Sequence, residues 1–196
     1  DLGLFAARLF DDTTTLATDV ERKHAHELLD LLTPIVKSWT SEFCLKANEL
    51  AIQILGGYGY TREYPVEQYY RDNRLNPIHE GTNGIQAIDL LGRKAQMHEG
   101  RALTLYLAEV RRTAGATSGA PLEAFGTTLA RLAASIETAL AALQHRRGVS
   151  GLRAQLAHGR DFLELAGCTT FAWIWLEQAR IALTSPEGRA LLTLES

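Results

Sequence analysis

One acid in the chain is placed where it could do chemistry. Glu80 stands in "LNPIHEGTNGIQ", Leu75 to Gln86, between His79 and a Gly81-Thr82 step, after Pro77 and before a segment of helical spacing. Two chemistries fit a glutamate there. Just outside a helix start, the positive end of the helix favours an ionised, solvated surface carboxylate. In an apolar pocket, desolvation raises the carboxyl pKa toward working pH and makes a general base. The two environments push in opposite directions, and local sequence leaves both readings open.

Other chemistries find no seat. His24 and His26 are two residues apart, which on a helix points them to different faces, and Glu27 completes no ligand spacing, so no metal site is expected. His79-Glu80 lacks the second histidine of a zinc-protease helix. Neither Cys44 nor Cys168 has a local basic partner, and no Gly-x-Ser-x-Gly elbow occurs, so covalent acyl chemistry is not expected. "GGYG", Gly56 to Gly59, has the wrong spacing for a dinucleotide fingerprint and no strand before it. Its glycines would instead let the backbone approach a neighbour closely, a cofactor phosphate for example.

The elements that must position these groups read as helices almost throughout, an all-α bundle followed by a second helical segment. Leu2, Leu4, Phe5, Leu9 and Phe10 share a face of a first helix ending near Asp11 or Asp12. From Val20 to Trp39, Pro34 predicts a kinked or re-started helix. Ser41 then suits the cap of a further helix whose face is Phe43, Ala47, Leu50, Ala51 and Ile54, widened by Leu45 and Ile52, with Gly56 as its stop. Gly56 to His79 holds five of the six tyrosines, and Pro65 is placed to begin a short helix. Such a cluster suits either a packed loop at a ligand or subunit boundary or a lid over the bundle.

Thr82 is expected to cap a helix through Ile85, Ile88 and Leu91 that ends near Gly92. "GRKAQMHEG" reads as a junction, and a domain boundary is placed near residue 95. A helix from Arg101 then stops in the small-residue linker "TAGATSGAP". Pro121 suits the start of the next helix, whose seam is Leu122, Phe125, Leu129, Leu132, Ile136, Ala139 and Leu143. The last segment, Leu152 to Leu183, is apolar nearly all round near Trp173 and Trp175, which predicts a central helix or an oligomer face.

The chain has 196 residues, 46% of them hydrophobic, enough for a substantial core. A net charge of −3 with scattered bases argues against nucleic-acid binding, and Arg111-Arg112 and Arg146-Arg147 read as solvated helix ends. The densest apolar cluster, "FAWIWL", is far short of the run of about 18 residues that spans a bilayer. The two cysteines read as buried free thiols in a reducing, cytoplasmic setting. The opening "DLGLFAARLF" is amphipathic from its start and lacks an initiator methionine, so a fragment of a longer chain is expected.

Ala51 to Lys94, "AIQILGGYGYTREYPVEQYYRDNRLNPIHEGTNGIQAIDLLGRK", resembles the C-terminal helical domain of the acyl-CoA dehydrogenase family. Its Gln-x-x-Gly-Gly-x-Gly, Glu-Tyr-Pro-Val-Glu, Tyr-Arg-Asp and Glu-Gly-Thr elements carry the resemblance together. Residues 1–50 fit the preceding bundle helices of that domain more loosely, so residues 1–94 are read together as that domain. Residues 95–196 resemble the extra helical domain of some bacterial members.

The resemblance implies FAD-dependent oxidation of an acyl-CoA thioester to the trans-2-enoyl-CoA, with electrons passed to an electron-transfer flavoprotein. Carried over by position, it makes Glu80 the base that takes the α-proton, puts Gly81 beside flavin and substrate, and puts Thr82 on the cofactor. Gln53, Gly56 and Gly57 match the segment that reaches FAD bound largely by a neighbouring subunit, which implies a homo-oligomer. Many relatives have glutamine where this chain has Gly84, so one side-chain cofactor contact is lost here. Some relatives carry the base on another helix, an arrangement that the presence of Glu80 argues against. The domains that supply most of the flavin pocket are absent, so this piece alone is expected to be inactive. Two alternatives share the fold: an acyl-CoA oxidase that passes electrons to oxygen, and a non-catalytic relative that binds DNA or protein.

Overall fold

The computed structural model describes residues 2–79, 81–117 and 121–185, and among them there are seven α-helices and no strand. Helix α1 (Leu2–Thr15) buries Leu2 and Leu9. It outruns its expected end because the hydroxyls of Thr13, Thr14 and Thr15 fold back on the carbonyls of Phe10 and Asp11 at 2.7 to 3.0 Å.

Helix α2 (Asp19–Leu55) opens on a capping box in which the Thr18 hydroxyl accepts from the Glu21 amide and the Glu21 carboxylate accepts from the Thr18 amide. Two helices were expected across Pro34 and Ser41, and one of 37 residues is found. Proline removes one helical hydrogen bond, but Pro34 is itself buried, in a stretch where Leu31, Leu32, Ile35 and Trp39 enter the core. Core packing there outweighs the local penalty. Ser41 is therefore not a cap: it is buried mid-helix, and its one hydroxyl hydrogen is shared between the Ser38 carbonyl at 2.9 Å and Asn83 Oδ1 at 3.3 Å. Beyond it α2 runs past the bundle, so Phe43, Leu50 and Ile54, expected to be covered, are exposed within this chain.

Gly56 stops α2 as expected, and a 3-10 turn (Gly56–Tyr60) leads to α3 (Val66–Asn73), which starts after Pro65. Helix α4 (Asn83–Gly92) is capped by Thr82. It turns Ala87, Leu90 and Leu91 inward and leaves Ile85 and Ile88 exposed. The expected junction is a tight turn within Lys94–Gly100, where His98 (φ 52°) and Glu99 (φ 59°) are both left-handed. Helix α5 (Arg101–Gly115) follows, and residues 118–120 of the expected linker lie outside the described set. Helix α6 (Glu123–Leu156) starts two residues after Pro121 and is interrupted at Gly151. Its buried seam is Leu129, Ala133, Ile136 and Leu140, while Phe125 faces out.

Helix α7 (Gly159–Thr184) packs on α2, α4, α5 and α6, as expected of a central helix. Trp173 is buried and Trp175 is exposed. The Trp173 indole donates to the Thr113 hydroxyl at 3.0 Å, which donates in turn to Glu177 at 3.0 Å, and Tyr106 pairs with Thr170 at 2.9 Å. One continuous core thus joins residues on both sides of position 95. No helix of the described residues is long and apolar enough to cross a membrane. Both cysteines, expected to be buried, are exposed, because each points away from the face its helix turns to the core.

Close approach of α7 to α2 requires Gly167, where an added Cβ would overlap the Trp39 indole. That ring is held by Phe43 at 4.1 Å and Phe171 at 5.2 Å between centroids, so it has little room to yield. Gly167→Ala should therefore destabilise by about 1–3 kcal/mol, outweighing its gain in helix propensity of about 1 kcal/mol. Gly148→Ala, on α6 with open space around it, should do the reverse, so thermal melts of the two variants shifting in one direction would refute this packing.

Acid should weaken the same assembly. The Arg180 guanidinium, then the Thr113 hydroxyl, hold the Glu177 carboxyl below its usual value against the opposing effect of burial, and Arg111 does the same for Glu137. Carboxylates with lowered folded-state pKa contribute stability above the unfolded value of about 4.3 and lose it as pH falls through the folded value. Melting temperature should thus drop below about pH 4.3, and less steeply in Glu177→Gln. Identical acid profiles would remove Glu177 from the account.

Candidate functional site

Glu80 itself lies outside the described residues, but both of its flanks are described. Upstream, the amides of Ile78 and His79 donate to the Leu75 carbonyl at 3.0 Å, and Asn76 closes on Asn73 at 3.0 Å, which winds residues 73–79 into successive tight turns. Downstream, the Asn83 amide donates back to the Pro77 carbonyl at 3.2 Å. Gly81 sits at φ +85°, a left-handed conformation that favours glycine and turns the chain into α4. Thr82 takes the cap position, its hydroxyl accepting from the Ile85 amide at 3.3 Å.

This loop is fastened to α2 at three points. Lys37 Nζ donates to the Asn76 carbonyl at 2.8 Å, and the Ser41 hydroxyl reaches Asn83 Oδ1 at 3.3 Å. Asn73 Nδ2 donates to Asn48 Oδ1 at 3.2 Å, and Asn76 Nδ2 to Asn73 Oδ1 at 2.7 Å. Spacings of four and seven residues put Lys37, Ser41 and Asn48 on one stripe of the helix. Beside Lys37 and Ser41 runs a groove of about 450 Å³, lined by Ala6, Leu29 and Val36 as well as by Thr33, Lys37, Thr40, Ser41, Cys44, Asn73 and Asn76. None of these anchors is among the residues that the sequence marks for chemistry, and Ser41 carries the signature of a cap. Their signal was a polar stripe on a helix otherwise read for its apolar face.

Gln53, Gly56 and Gly57 form a second, separate group at the far end of α2, all of them exposed. Gly56 has φ 58° and ψ −136°, its amide donating to the Gln53 carbonyl. Nothing lies within 4 Å of where a Cβ would stand on Gly56 or Gly57, whereas Gly59 is pressed against the Ile52 backbone. Of the "GGYG" glycines, only Gly57 is then explained by neither backbone angle nor packing within the chain. At a helical rise of about 1.5 Å per residue, Gln53 lies about 18 Å along α2 from the contact between Ser41 and Asn83, and Gly56 and Gly57 follow beyond the end of that helix. The structure does not bring Gly81 and Thr82 together with Gln53, Gly56 and Gly57 in one chain.

Tyr58, Tyr60, Tyr64 and Tyr69 face outward, with Tyr58 against Tyr64 at 5.7 Å, so they do not form the lid that was one of their two readings. Among the described residues no three His, Cys, Asp or Glu side chains could hold a metal ion together. Partial desolvation, then the nearby Glu164 carboxylate, pushes the Cys168 thiol up, which suits no nucleophile.

The family model described as acyl-CoA dehydrogenase, C-terminal domain, matches residues 6–96, and one described as acetyl-CoA dehydrogenase C-terminal like matches residues 106–190. The chain is 36% identical over 154 residues to a 3-methylmercaptopropionyl-CoA dehydrogenase of Ruegeria pomeroyi, covering 78% of this chain and 26% of that protein. It is 30% identical over 178 residues to a broad-specificity linear acyl-CoA dehydrogenase of Mycobacterium tuberculosis, covering 87% and 29%. The chain thus spans little more than a quarter of each of these two relatives. In fold it is similar to Caenorhabditis elegans ACDH-11, solved in complex with C11-CoA, with a TM-score of 0.69 and 21% identity over 95% of this chain and 31% of that one.

Proposed function

The chain belongs to the acyl-CoA dehydrogenase family, and from that premise we propose that it is the C-terminal part of a flavoprotein that oxidises an acyl-CoA thioester to the trans-2-enoyl-CoA. Residues 1–94 are the C-terminal helical-bundle domain in this reading, and residues 95–196 an appended helical domain. The observation that carries it is the loop around position 80, with a left-handed Gly81, a Thr82 cap and fastening to α2 on both sides of the acid.

Glu80, as carboxylate, accepts the α-proton of the thioester. The electron pair of the broken Cα–H bond forms the Cα=Cβ double bond, and the β-hydrogen departs with its pair. Bound FAD would supply the acceptor for that hydride. Gly81 offers backbone without a side chain beside the reacting atoms. The Thr82 hydroxyl accepts from the Ile85 amide, which leaves its own hydrogen to donate toward the cofactor.

Gln53, Gly56 and Gly57 would hold a different FAD, one bound mainly by a neighbouring copy of the chain. Their distance along α2 from Thr82 supports this, and the open space at Gly56 and Gly57 fits close backbone approach by a cofactor. A homo-oligomer follows from such sharing. The thioester substrates in the relatives' names, and the C11-CoA bound by the nematode protein, support acyl-CoA as the substrate class.

Anaerobic addition of acyl-CoAs of graded chain length to the full-length protein should bleach its flavin absorbance, and electron-transfer flavoprotein should restore it. No bleaching by any thioester would overturn the reading. Release of peroxide in air at the turnover rate would make the protein an oxidase.

A further inference from the structure

Resting on the assignment of Glu80 as the base, we propose that Lys37 and the ladder of Asn48, Asn73 and Asn76 are positioning residues that set the reach of the Glu80 carboxylate. The loop has two kinds of hydrogen bond. Those within it, such as His79 to Leu75 and Asn83 to Pro77, give it a shape of its own. Those from α2 span 25 to 42 residues of sequence and determine where that shape sits. Lys37 is the one charged member, and a charged donor on a carbonyl makes a stronger bond than a neutral one. It holds Asn76, four residues before the acid, while Ser41 holds Asn83, three residues after it.

Releasing one end would let a preformed turn shift as a unit without unfolding. Proton abstraction is sensitive to such a shift, because a general base works at about 2.6–3.2 Å from its proton donor and a displacement of about 1 Å can slow a reaction about 10²-fold. Binding of the thioester and of FAD, made largely by other groups, is far less sensitive. The strap therefore acts on the rate of the chemical step.

The test uses the full-length flavoprotein and anaerobic rapid mixing with saturating acyl-CoA. Lys37→Met should slow flavin reduction about 10- to 100-fold at unchanged FAD content and thioester affinity, and Lys37→Arg should recover most of the rate. Asn48→Ala should slow it in the same direction by less, and decides the matter if Lys37→Met does not fold. Undiminished reduction in both variants, or slowing matched by an equal loss of FAD or of thioester affinity, overturns the proposal. Glu80→Gln is run alongside. If it abolishes reduction while Lys37→Met and Asn48→Ala leave it intact, only the strap fails. If it reduces flavin normally, base and strap fall together.

Discussion

Glu80→Gln in the full-length protein should slow flavin bleaching by acyl-CoA about 10³-fold or more while the protein still binds FAD. The amide keeps the shape of the side chain but cannot accept a proton at neutral pH, and a positioned general base accounts for about 10²–10⁴-fold of rate. Glu80→Asp sharpens the experiment. It keeps the carboxylate but withdraws it by about 1.5 Å, so residual activity should lie between wild type and Gln. The result rests on position as much as on type, since Gly81 at φ +85° and the Asn83 amide on the Pro77 carbonyl fix the backbone just past the acid. Bleaching at the wild-type rate in Glu80→Gln would remove the residue from the mechanism. Loss of FAD along with activity would make it a structural residue of the cofactor site.

What could be read beforehand divides along physical lines. Signals decided within one helical turn were legible: the Thr82 cap, the Gly56 stop and the start after Pro65 each depend on hydrogen bonds or backbone angles of near neighbours. Signals decided by distant packing were not. Pro34 is locally a breaker, and α2 continues through it because residues on either side are buried. Ser41 has a cap's chemistry, yet its partner Asn83 lies 42 residues away. The carboxylate at position 80 stood between two opposite electrostatic readings until the surrounding motif identified its family. Lys37 and Asn48 lie on a polar stripe of α2 whose partners are 39 and 25 residues away, and polar residues on a helix read as solvated unless something is known to land on them.

Arg101→Met should produce the largest loss of stability of any single change considered. Glu27 is 3% exposed, and its carboxylate receives both the Nε of Arg101, at 2.9 Å, and the Nη2 of the same guanidinium. Removing the base leaves a buried carboxylate uncompensated, which in such pairs costs about 3–5 kcal/mol. Arg101 is half-exposed, so water can partly replace it, and about 3 kcal/mol is the expected figure. For a chain of this size that corresponds to roughly 6–12 °C in melting temperature.

Location makes the pair matter further. One turn along α2, Asp30 holds the buried Lys94 at 2.8 Å. Lys94 and Arg101 therefore bracket the turn in which His98 and Glu99 take left-handed angles, conformations that each cost about 1–2 kcal/mol. The two ion pairs hold the ends of a strained junction against α2, and with it the start of α5. The double variant Glu27→Met, Arg101→Met should melt above Arg101→Met alone, because the stranded charge is gone. If Arg101→Met melts with wild type, the bond adds nothing; if the double variant is no better than the single, the loss comes from packing of the arginine stem rather than from a stranded carboxylate.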